Sequence, residues 1–338
     1  MKSSVGVCVI GCGRAGLVHA RNFRTSVPHA RLAALADPNE TAAKQAAKEL
    51  EVEAWYTDYR AALQNPQVDA VVIATPTIYH KEIAVAAAEA GKHILCEKPM
   101  AMSEAECDEM IAAAERAGVK LQIAFMRRFD ESFLAAKEAV DAGEIGEVVL
   151  IKSLTRGPSV PQPWMYDLKR SNGPLAEVNS HDIDTLRWFA GSEIASVFAV
   201  GGNFRCPDAA AEYPDFYDNV ILAARFRDGK QGLIDGALFV KYGYDARVEI
   251  LGSEGVILIG DIREKRLVIG NSARGLRQPA VSGWRSLYKD AYLAEDAHFV
   301  QCILEDAEPR VTGYDGKMAV RVVEAGNRSI REQCVVHL

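Results

Sequence analysis

No apolar run in this 338-residue sequence reaches the about 20 residues that a membrane-spanning helix needs. No C-x-x-C pair occurs among its seven cysteines, Cys8, Cys12, Cys96, Cys107, Cys206, Cys302 and Cys334. Their odd number and apolar surroundings argue against a disulfide framework and for buried thiols in a reduced, cytoplasmic protein. Cys8 and Cys12 lie on what reads as a strand and its following turn, where they would not converge, so no metal site is expected there. A G-x-S-x-G elbow and a P-loop lysine are both missing, which leaves hydrolase and kinase readings without support. Positive charge is the scarcer sign: 39 Lys and Arg stand against 46 Asp and Glu, a formal charge of −7. Such a surface does not attract a phosphate backbone, so neither nucleic acid nor a membrane is an expected partner. The first residues, MKSSVGVCVIGCGRAG, hold one early lysine and an apolar stretch broken by glycines, with no A-x-A-like site after it. They read as a first strand, not a signal peptide.

What is present is a strand–helix alternation. Val5–Ile10, Arg31–Ala36, Ala70–Ala74, His93–Glu97 and Lys120–Ala124 are strand-like runs of Val, Ile, Leu and Ala. Helical patterns separate them at Ala15–Thr25, Glu40–Leu50, Lys81–Ala90 and Ser103–Ala117. Ser103 and Glu106 have capping-box spacing, and Gly91 and Gly118 stand where left-handed C-caps are wanted. This order predicts a doubly wound parallel sheet over 1–125. From 126 to 338 the pattern changes. A helix at Glu131–Ala142, a strand at Glu147–Thr155, a Pro-rich loop and a helix near Val178–Phe189 come first. Strands at Ala195–Gly202, Val220–Phe226, Gly232–Phe239, Arg247–Leu251 and Val256–Ile259 follow with few helices between them, which predicts a mainly antiparallel open sheet. The tail, Ala291–Asp306 and Gly316–Cys334, is helical again.

Gly11-Cys12-Gly13-Arg14-Ala15-Gly16 is a G-x-G-x-x-G hexad that directly follows the first strand and opens a helix. In that setting Gly11 allows the tight turn, Gly13 lets the backbone approach a pyrophosphate, and Gly16 lets helix and strand pack closely. The helix N-terminus then offers free N–H groups to the phosphates. Asp37 ends the second strand, 21 residues after Gly16, where a carboxylate accepts hydrogen bonds from the adenosine ribose. That carboxylate would repel a 2′-phosphate, which favours NAD, while Arg14 keeps NADP open.

Glu97 and Lys98 end a strand, and ligands of parallel sheets sit at strand carboxyl ends, so both are placed on the cofactor. Pro99 raises the chance of a cis bond. Thr75, Pro76 and His80 follow another strand and either line the nicotinamide side or form a turn and cap. Glu177 and His181 are four apart and, on one helix, would share a face, the carboxylate holding the imidazole. Asp182 is a second partner for His181. A metal held by His181, Asp182 and Asp184 is not expected, because their side chains would point to different faces. The other histidines, His19 among them, show no partner pattern.

Taken together, VIGCGRAG, LADPN, ATPTIYH, GKHILCEKPMA, GPLAEVNSHDIDTLRW and PRVTGYDGKMAVRVVEAGNRSI resemble the Gfo/Idh/MocA oxidoreductases over nearly the whole chain. The resemblance implies a Rossmann domain followed by a substrate-binding domain on an open sheet that makes homodimer or homotetramer contacts. It implies Lys98 and His181 as catalytic residues, with Glu177 where the family usually has Asp. Arg127 of MRRFD is implied near the nicotinamide, and Arg156, Trp164 and Asn179 near the substrate. The implied reaction is hydride transfer between NAD(P) and a secondary hydroxyl of a cyclic polyol or sugar, inositol 2-dehydrogenation first. Another pyranose or anhydrosugar, or a non-catalytic dinucleotide sensor, are the alternatives.

Overall fold

In the computed structural model, which describes residues 3–264 and 267–338, the chain packs as two units. One is Met1–Phe129 with Asp290–Val320, the other Asp130–Lys289 with Arg321–Leu338. The first unit runs β1 (Val5–Ile10), α1 (Gly16–Thr25), β2 (Ala30–Ala36), α2 (Glu40–Glu49), β3 (Trp55–Tyr56), α3 (Tyr59–Leu63), β4 (Ala70–Ile73), α4 (His80–Glu89), β5 (His93–Cys96), α5 (Glu104–Ala117) and β6 (Leu121–Ile123). The sheet order is β3-β2-β1-β4-β5-β6, and every pairing is parallel. All six residues of β1 are buried, which is why VGVCVI lacks polar alternation. Each buried Val or Ile there contributes about 1.5–3 kcal/mol. The order of strands reverses between β1 and β4, and the carboxyl ends at such a switch point are where ligands bind.

Local chemistry sets the helix ends. Ser103 Oγ accepts the Glu106 N–H at 3.2 Å, and Glu106 Oε2 accepts the Met102 N–H at 2.9 Å. The carboxylate thus reaches one residue further back than the usual reciprocal box. Gly118 closes α5 with a left-handed φ of 65°. The short β3 and α3 have too few residues to show a period, and the sequence patterns do not register them.

The second unit contains α6 (Glu131–Asp141), β7 (Val148–Arg156), the short helices α7 (Pro163–Tyr166), α8 (Leu168–Ser171) and α9 (Gly173–Glu177), and α10 (Ser180–Ala190). Then come β8 (Ile194–Gly202), β9 (Asn219–Phe226), β10 (Gln231–Ala237), β11 (Asp245–Gly252), β12 (Val256–Ile259), the hairpin β13 (Ile269–Asn271) and β14 (Gly275–Arg277), and α11 (Trp284–Leu287). Helix α12 (Lys289–Glu305) returns to the first unit, where Phe299 and Val300 join the core around β1 and β2. Helix α13 (Gly313–Glu332) supplies residues to both units, and β15 (Val336–His337) closes the second sheet. The second sheet has the order β12-β11-β7-β10-β9-β8-β15; its β7–β10 pair is parallel and the rest antiparallel. The expected strand Gly232–Phe239 stops at Ala237, and Phe239 turns away with a φ of 54°.

Helix α10 packs on one face of this sheet, close enough that a Cβ at Gly232 would meet Leu186 Cδ2 at 2.5 Å. The alternation of β8, β9, β11 and β12 sends Phe198, Val200, Ile221, Leu251, Val256 and Leu258 to the opposite face, where all are exposed.

Candidate active site

The glycine loop is built as its spacing predicts. Gly11 has a φ of 101°, and a Cβ on it would stand 2.5 Å from the Ala74 carbonyl oxygen. A Cβ on Gly16 would stand 1.8 Å from the Gly11 carbonyl oxygen, so this glycine is demanded by helix–strand packing. A Cβ on Gly13 would meet nothing within 4 Å: here the loop faces open space. Helix α1 has no side-chain N-cap and no acid in its first turn, leaving its positive dipole end for an anion. Arg14 and Gly13 are both exposed there. Asp37 reaches the loop from the end of β2. Its Oδ2 accepts the Cys12 N–H at 2.7 Å and its Oδ1 the Asn39 N–H at 2.8 Å. Burial, then the Asp37 charge, pushes the Cys12 thiol up to about 12, so it carries no thiolate beside the loop. Open space at Gly13, a helix end with no side-chain cap and a braced carboxylate fit a dinucleotide.

Thr75 and Pro76 follow β4 at the switch point. His80 does not line that space: it is buried, with Nδ1 2.8 Å from the Pro99 carbonyl oxygen and Nε2 2.8 Å from that of Thr75. Its ring ties the loop after β4 to the loop after β5, so the turn reading replaces a cofactor contact. The Lys98–Pro99 bond is cis, and Lys98 is half-buried. Glu97 is also corrected. It is 5% exposed and faces inward, with Oε1 3.3 Å from His19 Nε2 and Oε2 accepting the Lys98 N–H at 3.0 Å. His19 in turn reaches Asp296 of α12 at 2.6 Å. Sequence reasoning missed this partnership because Asp296 lies 277 positions away. Arg127 sits in the turn Met126–Phe129 and is buried.

In the second unit the expected shared face of Glu177 and His181 does not form. Glu177 ends α9 and His181 is in the first turn of α10, with Val178 and Asn179 breaking the helix between them. The i,i+4 rule needs one continuous helix. Asp182 is engaged with the sheet under α10. Its Oδ1 accepts from Ser153 Oγ at 2.5 Å and Thr155 Oγ1 at 2.9 Å, and its Oδ2 from Asn179 Nδ2 at 2.8 Å. Three donors hold this buried carboxylate, which pins α10 to β7. Asn179 is fully buried in the same joint, occupying space that a Cβ at Gly236 would invade at 2.1 Å. It therefore shapes the wall under α10 and presents no surface to a substrate. Arg156 is corrected by strand alternation. Thr155 faces α10, so Arg156 faces the other way, where its Nε donates to Asp235 at 3.1 Å. His181 is 6% exposed, and Trp164 on α7 and Glu177 are half-buried.

Residues 5–125 match the family model described as an oxidoreductase family with an NAD-binding Rossmann fold, and residues 133–258 match the GFO/IDH/MocA C-terminal domain. The scyllo-inositol 2-dehydrogenase (NAD(+)) of Bacillus subtilis is 36% identical over 338 residues, covering 100% of this chain and 97% of the relative. The myo-inositol 2-dehydrogenase of Thermotoga maritima is 34% identical over 98% of this chain and 97% of its own. The crystal structure of scyllo-inositol dehydrogenase from Lactobacillus casei with bound NAD(H) and scyllo-inositol superposes with a TM-score of 0.89 at 28% identity, over 99% of both chains. With a model match to both halves and full-length relatives, this chain belongs to the GFO/IDH/MocA family of NAD-binding oxidoreductases.

Proposed function

We propose that this protein is an NAD-dependent dehydrogenase of a cyclic polyol, an inositol oxidised at C2 first among them. The observation that carries the reading is the switch-point loop built for a dinucleotide, with Lys98 at the end of β5 in the same sheet, in a chain similar throughout to NAD-dependent inositol dehydrogenases. The glycine loop, the α1 N-terminus and Asp37 would hold NAD, with Thr75, Pro76 and Arg127 toward its nicotinamide end. Bound NAD supplies the hydride acceptor. His181 takes the hydroxyl proton as general base. Lys98 hydrogen-bonds the reacting oxygen and stabilises the negative charge that grows on it. Glu177 orients His181 or a neighbouring hydroxyl, and Trp164 offers an aromatic face to the ring.

A screen of scyllo-inositol, myo-inositol and pyranoses with NAD and NADP, read by absorbance of the reduced cofactor, tests this. Turnover with an inositol and NAD is expected; turnover with pyranoses alone would overturn the substrate assignment. In the same assay Asp37→Ala should weaken NAD about tenfold or more, the scale of a charge-assisted hydrogen bond. It should also narrow the preference over NADP, because the repulsion of a 2′-phosphate goes with the carboxylate. Unchanged NAD affinity would remove Asp37 from the ribose.

We also propose a homodimer or homotetramer formed through the open face of the second sheet, in the cytoplasm. Exposed apolar side chains in neighbouring strands, such as Val200 opposite Ile221, support a buried partner surface. The seven free cysteines support a reducing compartment. The pair Val200→Lys and Ile221→Lys should convert the assembly to monomers by light scattering. A wild-type chain that is already monomeric at micromolar concentration would exclude the interface.

A further inference from the structure

We propose that His19 is a positioning residue for Lys98, acting as a doubly bonded bridge between Asp296 and Glu97. The inference rests on the catalytic reading of Lys98 given above. An unbroken line of hydrogen bonds leads to that lysine inside the first unit. Asn22 Nδ2 donates to Asp296 Oδ2 at 2.8 Å, and Asp296 Oδ1 lies 2.6 Å from His19 Nδ1. His19 Nε2 lies 3.3 Å from Glu97 Oε1, and Glu97 Oε2 accepts the Lys98 backbone N–H at 3.0 Å. The line joins α1, which starts at the glycine loop, to the end of β5 and to α12.

Its chemistry fixes the protonation of the ring. Ionised carboxylates only accept, and a neutral imidazole has a single N–H. While both carboxylates are ionised, His19 serves both only by carrying both protons and a positive charge; burial also raises Asp296, against the hold of His19 and Asn22. Burial opposes that charge, but Asp296 and then Glu97 outweigh it and hold the imidazole well above its ordinary value. Glu97 is held low against the cost of burial by His19 first and then by Lys98. The neighbouring Glu295 is wholly buried, and among the described residues neither of its carboxyl oxygens has a hydrogen-bond partner. Burial pushes it well up, toward its neutral acid form. Tyr292 of α12 completes the surroundings, edge-on to the His19 ring with centroids 5.4 Å apart. Stability does not account for such a cluster, since apolar side chains of similar volume often serve as well or better. What apolar residues cannot do is fix the peptide N–H of Lys98 and set the charge behind it.

The test compares wild type, His19→Gln, Asp296→Asn and Lys98→Ala across pH with scyllo-inositol and NAD. NAD affinity is read separately by fluorescence, and the ring nitrogens of His19 by NMR of the ligand-free protein. His19→Gln should lose about tenfold to a hundredfold in kcat, the cost of a misplaced catalytic group, with NAD affinity held within about threefold. In Asp296→Asn the ring loses the partner that raised it. As pH rises through the lowered imidazole value the ring keeps one N–H, which can remain on Nε2 toward Glu97, so the positive charge behind Lys98 is lost while that bond persists. Turnover should fall from near wild type by less than the His19→Gln loss, over the range where NMR shows the second ring proton leaving. Wild-type turnover at every pH in both variants, with Lys98→Ala inactive, would overturn the inference alone. A parallel loss of NAD affinity and thermal stability with kcat would do the same, by making the cluster a scaffold. Full activity in Lys98→Ala would overturn the catalytic reading and this inference with it.

Discussion

Replacing His181 by alanine should lower kcat by about 10²–10⁴-fold, the usual worth of a positioned general base, while NAD affinity stays near wild type. The separation is expected because the residues proposed to hold the dinucleotide lie in the first unit, after β1, β2, β4 and β6, and His181 lies on α10 in the second. Lys98→Ala should cost about 10²–10³-fold, the scale of one donor to a developing oxyanion. The two losses should combine less than multiplicatively, since groups that manage the same proton and oxygen act as a unit. Single-turnover kinetics with NAD affinity measured in parallel distinguishes lost chemistry from lost binding. If either variant kept wild-type kcat, its residue would hold no catalytic role, and wild-type turnover in both would overturn the catalytic assignment as a whole. Asp182 is unsuitable as a probe here. Removing a buried carboxylate that accepts from Ser153, Thr155 and Asn179 would strand those donors and loosen α10 from its sheet.

The first half of the fold is legible because it obeys local rules. A strand, three glycines at fixed offsets, a helix and an acid at the next strand end each leave a mark in the sequence, and β1, α1, β2 and Asp37 stand where those marks put them. The second sheet is legible as strands but not in order, because its central β7–β10 pairing joins segments about 80 residues apart, which no local pattern encodes. The site failures share one physical origin. Side-chain direction depends on breaks and facings that spacing cannot reveal. The break at Val178 and Asn179 puts Glu177 and His181 on separate helices, so their spacing does not give their facing, and a one-residue step along β7 separates Thr155, toward α10, from Arg156, away from it. Glu97 and His80 are a subtler case. Both sit in motifs that end at a ligand-binding edge, yet their partners, His19 and the Pro99 and Thr75 carbonyls, draw them inward. A carboxylate or imidazole beside a site is therefore not necessarily in it.

Gly13 and Gly16 separate ligand binding from folding within one motif. With nothing within 4 Å of its hypothetical Cβ, Gly13→Ala adds a methyl group to open space, and the folded chain has no clash to relieve. Its melting temperature should stay within about 2 °C of wild type, as for a substitution with no structural mechanism of harm. NAD affinity should nevertheless fall about tenfold or more, because that space is where a pyrophosphate approaches the backbone. Gly16→Ala puts its methyl 1.8 Å from a backbone carbonyl oxygen, and no side-chain rotation relieves it. Either β1 and α1 move apart or the loop is rebuilt, at a cost of about 3 kcal/mol or more, above the usual range for overpacking because the obstacle is main chain. For Gly16→Ala, denaturant unfolding should show the loss of stability without ligand, and NAD should be bound poorly because the loop is displaced. A stable Gly16→Ala protein would mean that strand and helix are not locked at this contact. A Gly13→Ala protein that binds NAD as tightly as wild type would move the phosphates off this loop, and with them the placement of every group assigned along the cofactor.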